Sequence, residues 1–597
     1  MEFKRIIECL GGKDRQEQLD LLNDLMANVD GISGFNAGTG IGKTLAYCVA
    51  AMSSPGASTI VVPTIQLAKQ VERTIDRLNG ISDKVGLVKH KSAVRMGLRE
   101  YLSPSKVASF ESLFDEAEDK ATYDALLNAS KARDESNCYS AYINEYEALP
   151  PGLTRHDVCC DAQTKDSGFL LIERDIEKDV DILIVSQVTV LTELAFNSLP
   201  GKFRTGRLIV DEADSLVAMA SSVYSKKISL KALVRRASKY PSLIRRCNHL
   251  QECVDSLPCR ITWLSNEPNT WLALTSLAEE AQNQLGQHNV TEQLFQFCEL
   301  GISNASVSKN ERSTNFIQMS KFAARIMKSR FDRFECVWLL SGTLDITSKK
   351  DDSMQWLSGK LGISGDVGFY KNYEPKKYGE VDFCIGRGAK TMIDKQLNPK
   401  FIEFCAMHAD ASMLICTVSH EETEMLAEAI RRDNKVKVIE DRSSIALSDI
   451  IDEFVSCSGK AVLVTARGGV GMDIRLKDGS QIVKQLMITR LPFLPPPDEG
   501  EMEWLADSRG LNVDRLMGYE YMDGIQKSVR RFVQAFGRGI RDEDDVCRVM
   551  IMDSRFPSFN STSKHTIFRD ALPKRFMSKL MNAEYIGDDA KKAEVML

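Results

Sequence analysis

The chain has 597 residues, too many for one hydrophobic core, and its 43% hydrophobic and 27% charged fractions are those of folded globular domains. A net charge of −6 excludes a generic polyanion binder, so any nucleic-acid surface must be local. No apolar run approaches the ~20 residues that span a bilayer, the first residues lack a secretory leader, and 15 cysteines without a regular framework suggest reduced thiols; a cytoplasmic protein without a membrane partner is expected.

Residues 36–44 read Asn-Ala-Gly-Thr-Gly-Ile-Gly-Lys-Thr. From Ala37 the spacing fits a phosphate-binding loop, with alanine in place of the usual first glycine. Gly38, Gly40 and Gly42 permit a tight turn, so the N–H groups of this loop, that of Thr39 included, can converge on nucleotide phosphates. Lys43 can reach the β/γ-phosphates and the Thr44 hydroxyl can hold Mg²⁺. The apolar run Leu45–Met52 predicts a buried helix whose positive end faces the phosphates.

Short unbroken apolar runs follow at 58–63, 181–185, 207–211, 336–340, 412–416, 460–465 and 548–553, a pattern that suits parallel strands covered by helices on both faces. Functional residues are then expected at the carboxyl ends of the strands. Residues 92–175 and 218–333 lack this rhythm and are expected to be largely helical insertions, with 109–120 and 271–281 as examples. The run Leu208–Asp211 ends in the carboxylates of Asp211, Glu212 and Asp214. Asp211 is placed to hold Mg²⁺ through water, and Glu212 to orient and deprotonate a water attacking the γ-phosphate. Between Ser215 and Gln251 there is no acidic residue, while Lys226, Lys227, Arg235 and Arg236 all fall there; the cluster reads equally as a phosphate-binding surface or a solvated helix face. Residues 372–379 form the passage to a second α/β region. Near its end stands Gln534-Ala-Phe-Gly-Arg538-Gly-Ile-Arg541, whose two arginines share one face if helical and suit neutralisation of a transferring phosphoryl group. Ion pairing of these arginines with Asp542, Glu543 or Asp544 is the alternative.

Together these residues resemble a superfamily 2 helicase of the XPD/DinG group. Arg15 and Gln18 resemble the adenine-contacting segment, and Val62-Pro-Thr64-Ile-Gln66 resembles motif Ia, which contacts the DNA backbone. Ser341-Gly-Thr343 resembles motif III, Thr417 lies in a motif IV-like stretch, Gly468 to Asp473 resembles motif V, and Gln534 to Arg541 resembles motif VI. Arg490-Leu-Pro-Phe and Asp553-Ser-Arg555-Phe are further DinG-like signatures. The resemblance implies two RecA-like domains closing on ATP and Mg²⁺, with two mainly helical insertions in the first. The expected boundaries are 1–91, 176–217 and 334–371 for domain one, 92–175 for an insertion at the iron–sulfur-domain position, 218–333 for an Arch-like insertion and 372–597 for domain two. Lys43, Glu212, Gln534, Arg538 and Arg541 would carry catalysis, with Asp473 at the nucleotide and Thr64, Gln66, Thr417 and the basic cluster on DNA.

The sequence departs from the family pattern at several places. The iron–sulfur cluster needs four cysteine ligands, and only Cys138, Cys159 and Cys160 fall in the first insertion, so no cluster is expected. Cys247, Cys253 and Cys259 recur at every sixth position, wider than zinc sites favour. Asp214 replaces the usual histidine, and Ser186-Gln187 stands where an Asn-His pair is typical. Loss of cluster ligands resembles the DinG variant associated with type IV CRISPR systems, which would imply action on DNA opened by a guide-RNA complex. A general cluster-free DinG relative acting in repair remains open, as does an ATP-gated clamp that does not unwind. The expected function is 5′→3′ movement on single-stranded DNA with unwinding of duplex, R-loop or RNA–DNA hybrid substrates by a monomer. A fused nuclease is not expected, because the roughly 35 residues before the phosphate loop are too few for a domain.

Overall fold

The computed structural model describes residues 3–12, 15–38, 40–111, 117–132, 138–146, 149–150, 153, 155–160, 176, 178–196, 201–223, 226–237, 240–259, 261–285, 294, 297–298, 302, 305–309, 314–318, 323–344, 354–376, 379–388, 390–393, 396–433, 436–442, 447–468, 474–476, 479–494, 512–540, 542–563 and 565–587. The chain divides into two compact units. One comprises Met1–Val217, Met327–Asp345 and Asp352–Lys377; the other comprises Ala218–Ile326, Ile346–Asp351 and Tyr378–Leu597.

In chain order the strands begin with β1 (Gly31–Ala37), β2 (Ser58–Val62), β3 (Ser92–Arg95), β4 (Ile182–Ser186) and β5 (Arg207–Asp211). Next come β6 (Lys226–Ser229), β7 (Ile261–Trp263), β8 (Ala305–Lys309), β9 (Thr314–Gln318), β10 (Cys336–Ser341) and β11 (Val367–Tyr373). The remainder are β12 (Glu380–Gly386), β13 (Met392–Ile393), β14 (Gln396–Leu397), β15 (Met413–Cys416), β16 (Lys437–Glu440), β17 (Ala461–Thr465), β18 (Gln485–Ile488), β19 (Val546–Ile551) and β20 (Glu584–Ile586).

The first unit is built on a parallel sheet ordered β11-β1-β10-β5-β2-β4-β3. Strands β2, β5 and β10 are buried at every residue, as their unbroken apolar runs require of strands covered on both faces. The core on one face joins Phe35, Tyr47, Ile60, Ile184, Ile209 and Trp338. The phosphate loop, the acidic trio and the Ser341–Thr343 segment therefore follow strands β1, β5 and β10, which lie side by side, so their carboxyl ends bring these segments to one edge. The predicted helix behind the loop forms as Lys43–Ser53, with residues 46–52 all buried.

The second unit holds another parallel sheet, ordered β16-β17-β15-β18-β19-β12-β20. The long helix Val513–Phe536 packs onto it through Ile525, Val529, Phe532 and Phe536. Both parallel sheets match the α/β architecture expected.

The insertions need two refinements. Residues 226–318 contain a four-stranded antiparallel sheet, β6-β9-β8-β7, beside helices Leu230–Ala237, Pro241–Asp255 and Pro268–Leu285, which share a core through Leu233, Leu250, Leu274, Val307 and Phe316. These strands are three to five residues long and rich in Ser, Thr and Lys, so they carry no apolar-run signal. The second concerns the helix expected over 109–120: residues 109–110 are a turn, residues 117–120 are helical, and 112–116 lie outside the described residues. Ser103 caps a helix Pro104–Ala108, Ser109 and Phe110 form the turn that closes it, and the next helix runs Ala117–Lys131. Proline at the first helical position with a serine cap starts that earlier helix.

Candidate functional site

Gly40 and Gly42 both take positive φ, 89° and 84°, as the turn requires. A Cβ on Gly42 would also lie 2.2 Å from the Gln18 amide. That amide donates to the Gly42 carbonyl at 3.0 Å, and Arg15 Nη1 donates to the Gly40 carbonyl at 2.5 Å. The segment carrying the two adenine-contact candidates is therefore fastened to the phosphate loop itself. Ala37 ends β1 with its methyl fully buried and its φ negative, so the position that usually holds glycine does not need one here. Gly38 N–H donates to the Tyr373 carbonyl at 3.2 Å. Thr39 lies outside the described residues.

Lys43 Nζ lies 3.2 Å from Glu212 Oε1 and 3.7 Å from Asp211 Oδ1. Burial works to lower the Lys43 pKa, but the neighbouring charges of Glu212 and Asp211 outweigh it and hold the ammonium above its ordinary value. Asp211 is pushed up by burial, with Glu212 adding and Lys43 opposing. Tyr47, one helical turn beyond Lys43, donates its hydroxyl to Asp211 Oδ2 at 3.2 Å and has the Thr44 hydroxyl beside it. The lysine, the threonine and the two carboxylates expected to serve nucleotide and Mg²⁺ are thus gathered in one place. Their donor set, a hydroxyl and a buried carboxylate with a cation alongside, fits an Mg²⁺–triphosphate.

Asp214 is 7% exposed and receives Ser341 Oγ at 2.7 Å and Thr343 Oγ1 at 2.6 Å. Ser341 Oγ is also 3.1 Å from Glu212 Oε2. The motif III-like hydroxyls therefore bind the acidic trio directly, a link the separate motifs did not reveal. Thr64 caps helix Ile65–Val85 by accepting from Leu67 N–H at 3.3 Å; Gln66 lies in that helix, and its side chain is outside the described residues.

In the second unit, Gln534 occupies the last turn of helix Val513–Phe536 and Arg538 the turn after it; both are half-buried. Burial pushes the Cys416 thiol, at the carboxyl end of β15, up to about 12, with the Arg538 charge opposing. Gly539 is required by close approach: a Cβ there would sit 2.8 Å from Cys547 Sγ, and its carbonyl accepts from Gln481 at 3.0 Å. Arg541 and Asp473 lie outside the described residues. Thr417 is 8% exposed, with its hydroxyl 2.6 Å from that of Thr423. The two DinG-like signatures meet. Asp553, fully buried, accepts from Leu491 N–H at 2.8 Å and pairs with Arg555, which stacks 4.8 Å from the Phe493 ring.

Lys226 and Lys227 fall on β6, and Arg235 and Arg236 on helix Leu230–Ala237; their side chains are outside the described residues. Cys138, Cys159 and Cys160 gather on one segment, where Tyr101 bridges to Cys138 and Leu102 to Cys159, and Cys160 N–H donates to the Tyr101 carbonyl at 2.8 Å. All three are buried, and burial pushes the Cys159 thiol up to about 12. Cys247, Cys253 and Cys259 are buried, half-buried and exposed respectively. Among the described residues no group of three or more His, Cys, Asp or Glu is placed to hold a metal ion, and no helix is long and apolar enough to cross a membrane.

Sheet order, phosphate loop and acidic trio define a RecA-like α/β fold. Residues 11–121 match the DEAD/DEAH box helicase family, and residues 402–574 match the helicase C-terminal domain. The ATP-dependent DNA helicase XPD of Sulfolobus acidocaldarius is 29% identical over 153 residues, 25% of this chain and 26% of that protein. The 3′-5′ exonuclease DinG of Staphylococcus haemolyticus is 24% identical over 266 residues, 42% of this chain and 27% of that protein. The alignments thus span about a quarter of either curated relative. In structure, an XPD helicase superposes with a TM-score of 0.64 at 16% identity, covering 96% of this chain and 100% of that one. Xpd4 of S. tokodaii gives 0.55 at 13% identity, with 96% and 100% covered. The chain is thus similar in sequence and fold to the XPD/DinG-like superfamily 2 helicases.

Proposed function

We propose that the protein is an ATP-dependent DNA helicase that moves 5′→3′ on single-stranded DNA and opens duplex or R-loop DNA. The observation that carries this reading is the convergence of Lys43, Asp211 and Glu212 at the glycine turn, with Ser341 linking Glu212 to Asp214. In this reading Lys43 and the loop N–H groups bind the β/γ-phosphates, and Thr44 and Asp211 hold the Mg²⁺ that neutralises them. Glu212 orients the attacking water and accepts its proton. Arg538 and Arg541 neutralise charge on the transferring phosphoryl group. Ser341 and Thr343 respond to the state of the acidic trio and pass it to the DNA-bound segments. Separating DNA costs a mean of about 1.4 kcal/mol per base-pair step, so hydrolysis must be tied to movement. Thr64, Gln66, Thr417, Lys226, Lys227, Arg235 and Arg236 are assigned to the DNA backbone, since a motor must tolerate any sequence.

The first insertion holds three cysteines where a cluster needs four ligands, and this motivates placing the chain with the cluster-free DinG variant of type IV CRISPR systems, acting beside a guide-RNA complex. Strand displacement on a 5′-tailed duplex tests the motor reading: ATP-dependent release of the strand is expected, and hydrolysis without release would replace the motor by a clamp. Co-purification from the native host tests the partner, a guide-RNA complex being the expected companion.

A further inference from the structure

Glu212 is one of three non-glycine residues with positive φ among the described residues, at φ 49° and ψ 49°. For a residue with a long side chain this conformation persists only when its surroundings enforce it. The kink has a purpose at this site. In an extended strand successive carbonyls point to opposite sides, whereas here the carbonyls of Asp211 and Glu212 converge on one nitrogen.

That nitrogen is Gln187 Nε2, 3.2 Å from the Asp211 carbonyl and 3.1 Å from the Glu212 carbonyl. Gln187 is fully buried at the start of helix Gln187–Phe196, directly after β4. The amide nitrogen therefore donates to both carbonyls at a position closed to solvent. The orientation of the amide is fixed, because a flip would set its oxygen against both carbonyls. The Ser215 hydroxyl completes the grip, lying 2.9 Å from Gln187 Oε1 and 2.7 Å from the Glu212 carbonyl. Ser215 N–H reaches the same carbonyl at 3.0 Å.

We propose that Gln187 is a positioning residue for the hydrolytic carboxylate: its amide clamps the two carbonyls and holds the left-handed turn that aims Glu212 at Lys43. The hydrogen bonds of its amide go to main-chain carbonyls and to Ser215, so it acts on Glu212 through the main chain. The inference rests on the ATP-hydrolysing reading of this site.

The test is steady-state ATP turnover with DNA present, alongside binding of a fluorescent ATP analogue. Gln187→Leu fills the space but removes both donors. It is expected to lower kcat by about 10- to 100-fold, the range seen for groups that orient a reactive ligand, while KM and analogue affinity stay within about twofold. Gln187→His keeps one N–H donor and should recover part of the loss. Should the leucine variant not fold, Ser215→Ala removes only the hydroxyl from the same carbonyl and should lower kcat severalfold at unchanged analogue affinity. A wild-type kcat in Gln187→Leu, or in Ser215→Ala if that variant is needed, overturns the proposal; so does a parallel loss of turnover and analogue binding. Wild-type protein without ATP turnover would instead sink the reading of the site itself.

Discussion

Replacing Ser341 by alanine and Thr343 by valine probes the link between the acidic trio and the strand that follows the second insertion. Ser341 Oγ faces Asp214 Oδ1 at 2.7 Å and Glu212 Oε2 at 3.1 Å, but it has one proton and serves one carboxylate at a time. A hydrogen bond to a charged group contributes about 1.5–3 kcal/mol, so Ser341→Ala should cost about 2 kcal/mol. Thr343→Val removes the 2.6 Å bond to the other oxygen of Asp214 and should cost a similar amount. Each single variant leaves one hydroxyl on Asp214; the double variant takes both from a side chain 7% exposed. The double loss should therefore exceed the sum of the singles, by about 0.5–3 kcal/mol for groups in one network. At about 2–4 °C per kcal/mol for a domain of this class, each single variant should melt roughly 4–8 °C lower. Glu212 keeps Lys43 but loses its second anchor in Ser341→Ala, so ATP turnover should fall about tenfold, equivalent to ~1.4 kcal/mol of barrier. Thr343→Val should spare more of it. Thermal melts and DNA-stimulated ATP turnover on the four proteins measure both. Strictly additive melts, with turnover untouched in Ser341→Ala, would refute the idea that these hydroxyls act as one unit with the carboxylates.

Further outcomes are expected elsewhere. Lys43→Ala should abolish ATP turnover while the melting curve stays cooperative, since the loop itself is held by Arg15 and Gln18; undiminished turnover would remove the lysine from the site. Replacing Lys226, Lys227, Arg235 and Arg236 by alanine should weaken single-stranded DNA binding and flatten its log–log salt slope by up to about 3, at ~0.7 for each phosphate no longer neutralised. An unchanged slope would return the cluster to a solvated face. Because burial raises Asp211, it is neutral below a value higher than the usual ~3.9 of aspartate and ionised above it. Metal binding needs the ionised form, so the Mg²⁺ concentration giving half-maximal turnover should climb as pH falls through that raised value; a flat profile across the acid range would contradict it. Lys309 Nζ donates to the carbonyls of Val254, Asp255 and Leu257 at the end of helix Pro241–Asp255, at 3.1, 2.9 and 2.9 Å. Lys309→Met should cost about 1–3 kcal/mol in urea unfolding, and an unaltered midpoint would deny the cap.

The parallel sheets were legible because strands buried on both faces must be apolar throughout, as at Ile60–Val62 and Leu208–Val210. Edge strand β11 was not, since Gly368, Lys371 and Asn372 are exposed and break the apolar run. The antiparallel sheet beyond residue 226 escaped for a related reason: its strands are short and alternate Ser and Lys with single apolar residues. In the site, Lys43, Asp211 and Glu212 announce themselves by spacing, because their chemistry lies in their own side chains. Tyr47 and Gln187 do not, since one hides in an apolar helix and the other works on main-chain carbonyls. For Gln187 the hints were its place directly after the buried strand β4 and the Ser186-Gln187 departure from the Asn-His pair of the resembled family.

In the proposed mechanism, Arg538 neutralises charge on the transferring phosphoryl group. Single-turnover ATP hydrolysis by Arg538→Ala with saturating single-stranded DNA tests this most directly. The expected result is a loss of at least about 10³-fold, in the range an arginine supplies to phosphoryl transfer, with ATP-analogue binding retained. Hydrolysis at the wild-type rate would contradict it.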